Sequence, residues 1–172
     1  MTRRSGRRLA RAGGLALALL ANGCVYGFAG GGLPPHIRTV AILPFDNQTG
    51  EATLAKEVSD AVRDALQGRL GLRAASEATA DAIVRGTIVR YEPDIPLTFQ
   101  PGAQQGTVSV TLRRVQLTLS VEIYDQKQAR TLWQRSNMVV DGQYQPPQEK
   151  QGRQLALNKL VSDIVDGAQS QW

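Results

Sequence analysis

The feature that most constrains the fold is an alternation of apolar and polar residues between positions 107 and 124. In its second half every other residue is apolar, at Val115, Leu117, Leu119, Val121 and Ile123. Alternation with a period of two is typical of a β-strand that buries one face. A polar segment, residues 125–128, then leads to a second apolar run at 130–140. The pattern predicts two antiparallel strands joined as a hairpin.

The first half of the same run has the opposite phase, because Val108, Val110 and Leu112 lie at even positions. A slip of one residue predicts a β-bulge at Arg113 and Arg114, or a turn out of a separate short strand. The preceding segment, residues 92–106, contains three prolines and two glycines and is predicted to be a loop.

The remaining elements follow from their periodicity. Strands are predicted at 39–45 and 81–91, with a possible short strand at 72–74, and helices at 53–70 and around an apolar stripe at 155–168. A strand-helix-strand unit crosses over right-handed, which makes its two strands parallel. We therefore expect one domain, residues 37–172, with the fold of an α/β sandwich in which two helices pack on one face of a mixed four-stranded sheet.

The N-terminus has the pattern of a lipoprotein signal. Residues 1–23 contain five arginines and no acidic residue, and an apolar run at 15–21 is followed by Gly23 and Cys24. The run is too short to span a bilayer. It resembles a bacterial lipobox, which implies cleavage before Cys24, lipid on its sulfur and, with Val25 next, the outer membrane. Residues 24–36 are predicted to be a flexible tether, since they are rich in glycine and proline.

Removal of the signal also changes the electrostatic interpretation. The chain has 20 basic and 15 acidic residues, and five of the basic ones lie in residues 1–23, so 15 of each remain. A neutral domain lacks the basic excess that binding to a phosphate backbone needs. Nucleic acid is therefore not an expected partner.

The residues needed for catalysis are few. His36 is the only histidine and Cys24 the only cysteine, so a zinc site or a Cys/His dyad cannot be assembled within one chain. His36 is interpreted as a surface or locally hydrogen-bonded residue. No glycine-rich stretch has the spacing of a phosphate-binding loop. We expect a non-catalytic protein without cofactor or metal, and an enzyme with an unrecognised site is the alternative.

Several segments together resemble the LptE family of outer-membrane lipopolysaccharide-assembly lipoproteins. They are LPPHIRTVAILPFDNQTG, LAKEVSDAVRDALQGR, ADAIVRGTIVRY and VQLTLSVEIYDQKQARTLWQRS, followed by a closing helix. The segment VAILPFDN also resembles lipoproteins of the penicillin-binding-protein-activator and curli-secretion types, and these are the alternative family.

The resemblance to LptE implies two helices on a four-stranded sheet, and a non-catalytic role. Members associate as a plug with the large outer-membrane β-barrel translocon (the LptD type) and help to insert lipopolysaccharide into the outer leaflet. Lipopolysaccharide carries phosphates, so basic side chains could bind it through charge-assisted hydrogen bonds. The candidates are Arg113 and Arg114 at the phase slip, and Lys150 and Arg153 before the last helix.

Overall fold

The alternating run forms the centre of a β-sheet in the computed structural model, which describes residues 33–102 and 106–170. The predicted signal peptide, Cys24 and the tether up to residue 32 lie outside the described residues. The described residues form six strands: β1 Thr39–Ile42, β2 Asp46–Asn47, β3 Arg73–Ala74, β4 Ala82–Pro101, β5 Val108–Asp125 and β6 Arg130–Tyr144.

The sheet is mixed, as predicted. Its order is β3-β1-β4-β5-β6, and β2 pairs with β4 beside this path. Strand β1 is parallel to β3 and β4, whereas β4, β5 and β6 are antiparallel neighbours. The parallel pair of β1 and β4 and the hairpin of β5 and β6 confirm the sequence prediction. The sheet has more than the predicted four strands: β3 matches the possible short strand at 72–74, and β2, with two residues, is too short to produce a period.

Two helices cover one face of the sheet. Helix α1 is Leu54–Leu70 and helix α2 is Glu149–Gln169. Helix α1 buries an apolar stripe and ends at Gly71, whose φ of 66° is a left-handed conformation that glycine adopts without strain. Helix α2 begins six residues before the predicted stripe at 155–168. Its first turns were not visible in the sequence, because residues 149–154 contain no apolar side chain that could show a helical period. No helix in the described part of the chain is long and apolar enough to cross a bilayer.

The core lies between the sheet and the helices. Strand β5 buries every second residue from Val115 to Asp125, and the residues between them stay partly exposed. This alternation is what a sheet with helices on one face requires. Helix α1 contributes Leu54, Val58, Val62 and Leu66, and helix α2 contributes Ala156, Leu157, Leu160, Ile164 and Ala168.

The predicted loop at 92–106 is wrong for most of its length. Strand β4 continues to Pro101 and pairs with β5 as far as Val108. Strands β1 and β2 pair with β4 only up to Ile88. Beyond that point, the edge of β4 that faces away from β5 has no partner strand among the described residues. A free edge tolerates proline, which lacks the N–H that a central strand must donate. We call the projecting end of this hairpin, residues 95–101 and 108–112, the hairpin arm.

The phase slip is a register shift within this hairpin. It lies between the pairs Thr98–Leu112 and Phe99–Val110, where β5 has one extra residue, Thr111. In β5 the extra residue is Thr111, two positions before Arg113. The pairs of Arg113 with Pro96 and of Arg114 with Ile95 lie between two further register shifts of the same ladder, in which β4 carries the extra residue, so the hairpin is irregular at the two arginines, as the prediction of a bulge expected.

Candidate functional site

Arg113 and Arg114 point to opposite faces of the sheet, because successive residues of a strand alternate. Arg113 has the phase of the buried residues and lies opposite Tyr144 of β6. Arg114 lies opposite Gln143 and shares the other face with Gln116. The two arginines that sequence reasoning grouped therefore cannot form one site.

Arg113 belongs to a cluster at the base of the hairpin arm. Its guanidinium forms an ion pair with Asp94, and its side chain is half-buried. The Tyr144 hydroxyl donates a hydrogen bond to the carbonyl oxygen of Pro93, 3.0 Å away. Burial raises the pKa of Tyr144, the Asp94 carboxylate raises it further, and Arg113 opposes this shift. The positive charge of Arg113 is thus largely compensated within the protein.

Arg153 is held by a second polar cluster, at the N-terminal end of α2. Only 14% of its side chain is exposed, with nitrogen-to-oxygen distances of 3.6 Å to Glu57 and 3.8 Å to Glu149. The guanidinium carbon lies 5.7 Å from the centre of the Tyr91 ring. The Tyr91 hydroxyl donates to Glu149 Oε1 at 2.7 Å, and burial, followed by this bond, raises the pKa of Tyr91. Arg153 thereby connects β4 with both helices.

Lys150 is exposed beside this cluster. It lines a surface cavity of about 290 Å³ together with Glu57, Arg153, Gln154 and Leu157. The structure therefore brings Lys150 and Arg153 together, as the sequence suggested, but it places two carboxylates, Glu57 and Glu149, against the arginine. An anion bound here would compete with those carboxylates.

Arg114 has a different environment, on the sheet face that the helices do not cover, here called the open face. Arg113, Arg114 and Arg153 each have one buried guanidinium nitrogen without a hydrogen bond. Arg114 differs from the other two because, within residues 33–102 and 106–170, no carboxylate lies within ion-pair distance of it, whereas Arg113 faces Asp94 and Arg153 faces Glu57 and Glu149. A buried guanidinium nitrogen without a partner is costly. Of the three candidate arginines, Arg114 is therefore the one most available to an anion.

The open face is otherwise mainly polar, although Val139 of β6, which pairs with Thr118, is 54% exposed on it. Strand β5 contributes to it the side chains of Gln116, Thr118, Ser120, Glu122 and Tyr124. Glu122 accepts a hydrogen bond from Arg85 Nε at 2.7 Å and one from the Thr131 hydroxyl at 2.7 Å, and these bonds lower its pKa. A cavity of about 240 Å³ lies beside this group. The face carries mixed, mutually paired polar groups rather than a strong charge of one sign.

Sequence reasoning missed an ion cluster at the opposite end of the sheet. His36 Nε2 donates to Asp125 Oδ2 at 2.6 Å, across 89 positions of sequence, and Asp125 is fully buried. Lys127 Nζ lies 2.6 Å from Asp81 Oδ1, and the backbone N–H groups of Arg38 and Thr39 donate to Asp81 Oδ2. The sequence did contain a signal for this cluster, because Asp81 directly precedes the apolar strand β4 and Asp125 is the last residue of the apolar strand β5.

Both aspartates of this cluster are stabilised as carboxylates. The bond from Lys127 holds the pKa of Asp81 well below its usual range, and the backbone N–H of Arg38 adds to the shift. Burial raises the pKa of Asp125, but the hydrogen bonds from His36 and from the backbone of Gln128 and Lys127 outweigh it and leave that pKa lowered. The cluster fixes the entry of β1 to the turn between β5 and β6.

The geometry does not resemble a metal centre in the part of the chain that is described, where no three His, Cys, Asp or Glu side chains group around a common point. His36 uses Nε2 to bind Asp125, which holds the ring in place. The contacts of His36, Asp125, Asp81 and Lys127 are those of a structural cluster that joins chain segments distant in sequence.

A family model described as LptE, lipopolysaccharide-assembly, matches residues 37–170. The match begins two residues before β1 and ends one residue after α2, so it covers both helices and all six strands. None of the curated proteins matches the chain.

Several solved structures are similar in fold. Protein XCC0632 from Xanthomonas campestris is 12% identical, with 81% of this chain and 91% of that chain covered and a TM-score of 0.52. The PelC dodecamer from Paraburkholderia phytofirmans is 13% identical, with 80% and 93% covered and a TM-score of 0.49. A minor lipoprotein from Acinetobacter baumannii is 14% identical, with 80% and 94% covered and a TM-score of 0.47. At such low identity the first of these shows a shared fold alone.

Proposed function

The chain belongs to the LptE family of lipopolysaccharide-assembly proteins, and we propose that it is a non-catalytic outer-membrane lipoprotein that plugs an LptD-type β-barrel translocon. In this role it assists the insertion of lipopolysaccharide into the outer leaflet. The observation that carries the proposal is the family match over residues 37–170. The alternative resemblance, to penicillin-binding-protein-activator and curli-secretion lipoproteins, is confined to the segment VAILPFDN.

The surface of the domain suits a plug. The interior of a large outer-membrane barrel is polar, so a body inside it needs a polar exterior and a fixed shape. The open face offers hydroxyl, amide and paired charged groups, of which Arg85 with Glu122 is one. The helices on the other face pack on a continuous apolar core, which supports a rigid body.

The anchor of the proposed lipoprotein is Cys24. Acylation of this sulfur and of the new N-terminus would provide several acyl chains, which together give stable anchoring where a single chain gives marginal binding. Residues 24–36 would then connect the lipid to β1. The last residue of this segment, His36, hydrogen-bonds to Asp125 at the end of β5.

The proposed contacts with lipopolysaccharide are unequal among the four basic residues. Arg114 has no carboxylate within ion-pair distance among the described residues and a buried Nε without a hydrogen bond, so it could bind a phosphate without losing an ion pair. Lys150 is exposed and could bind as a mobile charge. Arg113 and Arg153 already face Asp94 and Glu57, so a phosphate would have to displace a carboxylate from each. We therefore rank Arg114 first.

The decisive experiment is co-purification from detergent-solubilised outer membrane. A C-terminal affinity tag on the full chain is expected to recover one large β-barrel protein in stoichiometric amount, identified by mass spectrometry. The same preparation gives the mass of the mature N-terminus, which is expected to carry lipid on Cys24. A Cys24→Ala variant serves as the control, since it should lack that mass.

Recovery of the lipidated chain with no barrel protein would contradict the plug role while leaving the anchor intact. Recovery with a periplasmic peptidoglycan synthase, or as a ring-shaped oligomer, would favour the alternative lipoprotein types. An unmodified N-terminus would contradict the assignment of Cys24 alone.

Substitution of Arg114 tests the ranking of the basic residues. Arg114→Glu is expected to weaken lipopolysaccharide binding about tenfold, because loss of one charge-assisted hydrogen bond corresponds to at least 1.4 kcal/mol, or about a factor of ten. Arg69→Glu, in the exposed last turn of α1, makes the same charge change and should leave binding unchanged. Equal binding by the wild type and Arg114→Glu, measured by titration of labelled lipopolysaccharide, would remove Arg114 from the site.

A further inference from the structure

One edge of the sheet is regular and has no partner strand. Strand β6 is the last strand in the sheet order, and from Met138 to Tyr144 every residue pairs in register with β5 on its inner edge. No strand of the described residues pairs with its outer edge. We call the outer edge of residues 138–144 the β6 edge. Its unpaired N–H and C=O groups can bond to an added strand.

The other free edges oppose such pairing. The free edge of β4 beyond Ile88 contains three prolines, which lack the N–H that a ladder needs, at positions 93, 96 and 101. In the hairpin arm, the free edge of β5 is interrupted by the extra residue Thr111. The first half of β6 is interrupted by an extra residue opposite Ser120, where Asn137 has a φ of 52°. The β6 edge contains neither a proline nor a bulge.

A cavity of about 450 Å³ lies beside the β6 edge. It is lined by three consecutive residues of β6, at 141–143, and by four residues of α2, which are Leu155, Asn158, Lys159 and Ser162. Successive residues of a strand point to opposite faces, so a cavity that touches all three lies at the edge of the strand. The β6 edge and α2 therefore form the two sides of a groove.

Apolar side chains flank the β6 edge on both sides of the sheet. Leu155 of α2 is 43% exposed on the helix side, and Val139 is 54% exposed on the open face. In an added strand, successive side chains would point to these two sides in alternation. One set would pack against Leu155 and the other against Val139, which would remove apolar surface from water on both sides.

The charged groups of the groove favour an uncharged occupant. Lys159 Nζ lies 3.2 Å from Asp141 Oδ1, and this ion pair joins α2 to β6 across the groove. The side chain of Lys159 is 57% exposed, and an ion pair at such exposure contributes little to stability. It can therefore open at little cost when a segment enters. Since the two charges compensate each other, no net charge in this pair attracts a charged segment.

The main chain of the β6 edge defines the class of occupant. An edge strand is recognised by the regular N–H and C=O groups of an extended polypeptide, in a mode where main-chain bonds supply affinity and contacts with alternate side chains supply specificity. Acyl chains and sugars offer no such series of groups. In a closed barrel every wall strand is already paired on both edges. A strand supplied by the barrel partner must therefore come from a part of that protein outside the wall.

We propose that the β6 edge binds an extended, uncharged segment of the barrel partner, which adds to the sheet as a further strand beside α2. This inference rests on the proposed plug role and adds to it the surface at which the barrel protein holds the domain. Strand pairing in one register would also fix the orientation of the plug in the lumen.

Hydrogen exchange followed by mass spectrometry tests the pairing. The tagged full chain is measured alone in detergent and in the complex recovered with the barrel protein. About three amides within residues 138–144 are expected to become protected in the complex, because alternate N–H groups of a strand face its outer edge. The free edge of β5 at 108–110 is the internal control, and its amides should exchange at the same rate in both samples.

Substitution of Leu155 tests the groove. Leu155→Lys places a charge beside the β6 edge and is expected to make the complex dissociate about fivefold faster, because burying an unpaired charge is costly and interface substitutions act mainly on the dissociation rate. Val89→Lys is the matched control, since Val89 of β4 is 41% exposed and does not line the groove. It should leave the dissociation rate unchanged. Equal rates for the two variants would contradict the proposal.

The outcomes separate this inference from the plug role. Recovery of the barrel protein without protection at 138–144 would overturn the strand pairing and leave the plug role intact. Equal protection at 138–144 and at 108–110 would also overturn it, because enclosure in the lumen would then explain both. Protection that appears in the chain alone and grows with its concentration would identify a second copy as the occupant instead. If no barrel protein is recovered, the plug role fails and this inference fails with it.

Discussion

Replacement of Gly142 by alanine is expected to lower the free energy of unfolding by about 3 kcal/mol, the upper part of the range for overpacking in a core. A Cβ on Gly142 in β6 would overlap with the carbonyl oxygen of Gly152 and lie 2.8 Å from the backbone nitrogen of Ala156. Both atoms belong to the backbone of α2. The helix would have to move away from the sheet, since no side-chain rotation relieves the contact.

Gly68→Ala is the matched control for this substitution. Gly68 is exposed in α1, and a Cβ there would meet no atom within 4 Å. Alanine in a helix interior is favoured over glycine by up to about 1 kcal/mol, so this variant should be slightly more stable than the wild type. Urea denaturation followed by circular dichroism measures both. Equal stability of the two variants would show that β6 and α2 are not packed backbone to backbone.

This close approach was invisible in the sequence, whereas the strand and the helix that meet there were predictable. Strand β5, and its pairing with β6 as a hairpin, could be predicted from the alternation of apolar and polar residues, because every second side chain of β5 is buried. The glycines at 142 and 152 have no pattern of their own. Their importance depends on which helix packs on which strand, and that is a property of the tertiary structure.

The hairpin arm shows a different limit of sequence reasoning. Prolines usually end a strand, so residues 92–106 were expected to form a loop. The prolines are tolerated here because the edge of β4 that faces away from β5 pairs with β1 and β2 only up to Ile88. Whether a strand edge is free depends on the order of strands in the sheet, which the local sequence does not contain.

The candidate site was predicted in composition but not in arrangement. The sequence showed the four basic residues Arg113, Arg114, Lys150 and Arg153. It did not show that two of them face carboxylates from distant positions of the chain: Arg113 faces Asp94, and Arg153 faces Glu57. A list of basic residues therefore overstates the available positive charge. The same argument applies to His36, whose partner Asp125 lies 89 positions away.

Asp125→Asn is expected to lower the free energy of unfolding at pH 7 by about 2 kcal/mol, because the buried carboxylate accepts hydrogen bonds from several donors. These donors are His36 Nε2 at 2.6 Å and the backbone N–H groups of Lys127 at 2.8 Å and Gln128 at 3.0 Å. An amide can replace only part of these bonds, since one of its two polar atoms is a donor. The turn between β5 and β6 and the entry of β1 should both loosen.

The pH dependence follows from the direction of the pKa shift. The pKa of Asp125 is lower in the folded protein than its ordinary value, so the unfolded chain binds protons first as the pH falls. The stability that this carboxylate contributes is complete above the unfolded pKa, about 4, and is lost as the pH falls through the folded pKa. The pKa of Asp81 is lowered too, and it contributes in the same direction. Wild-type stability should therefore decrease from pH 5 to pH 2.

Asp125→Asn should lose less stability than the wild type over that pH range, because one of the two carboxylates no longer titrates. Substitution of both, Asp81→Asn with Asp125→Asn, should flatten the profile further. Asp64→Asn, on an exposed position of α1, makes the same chemical change and should leave the profile as it is. Urea midpoints measured from pH 2 to pH 7 decide the matter. If the pH profile of Asp125→Asn runs parallel to that of the wild type, the charge of Asp125 does not contribute to stability through its bond with His36.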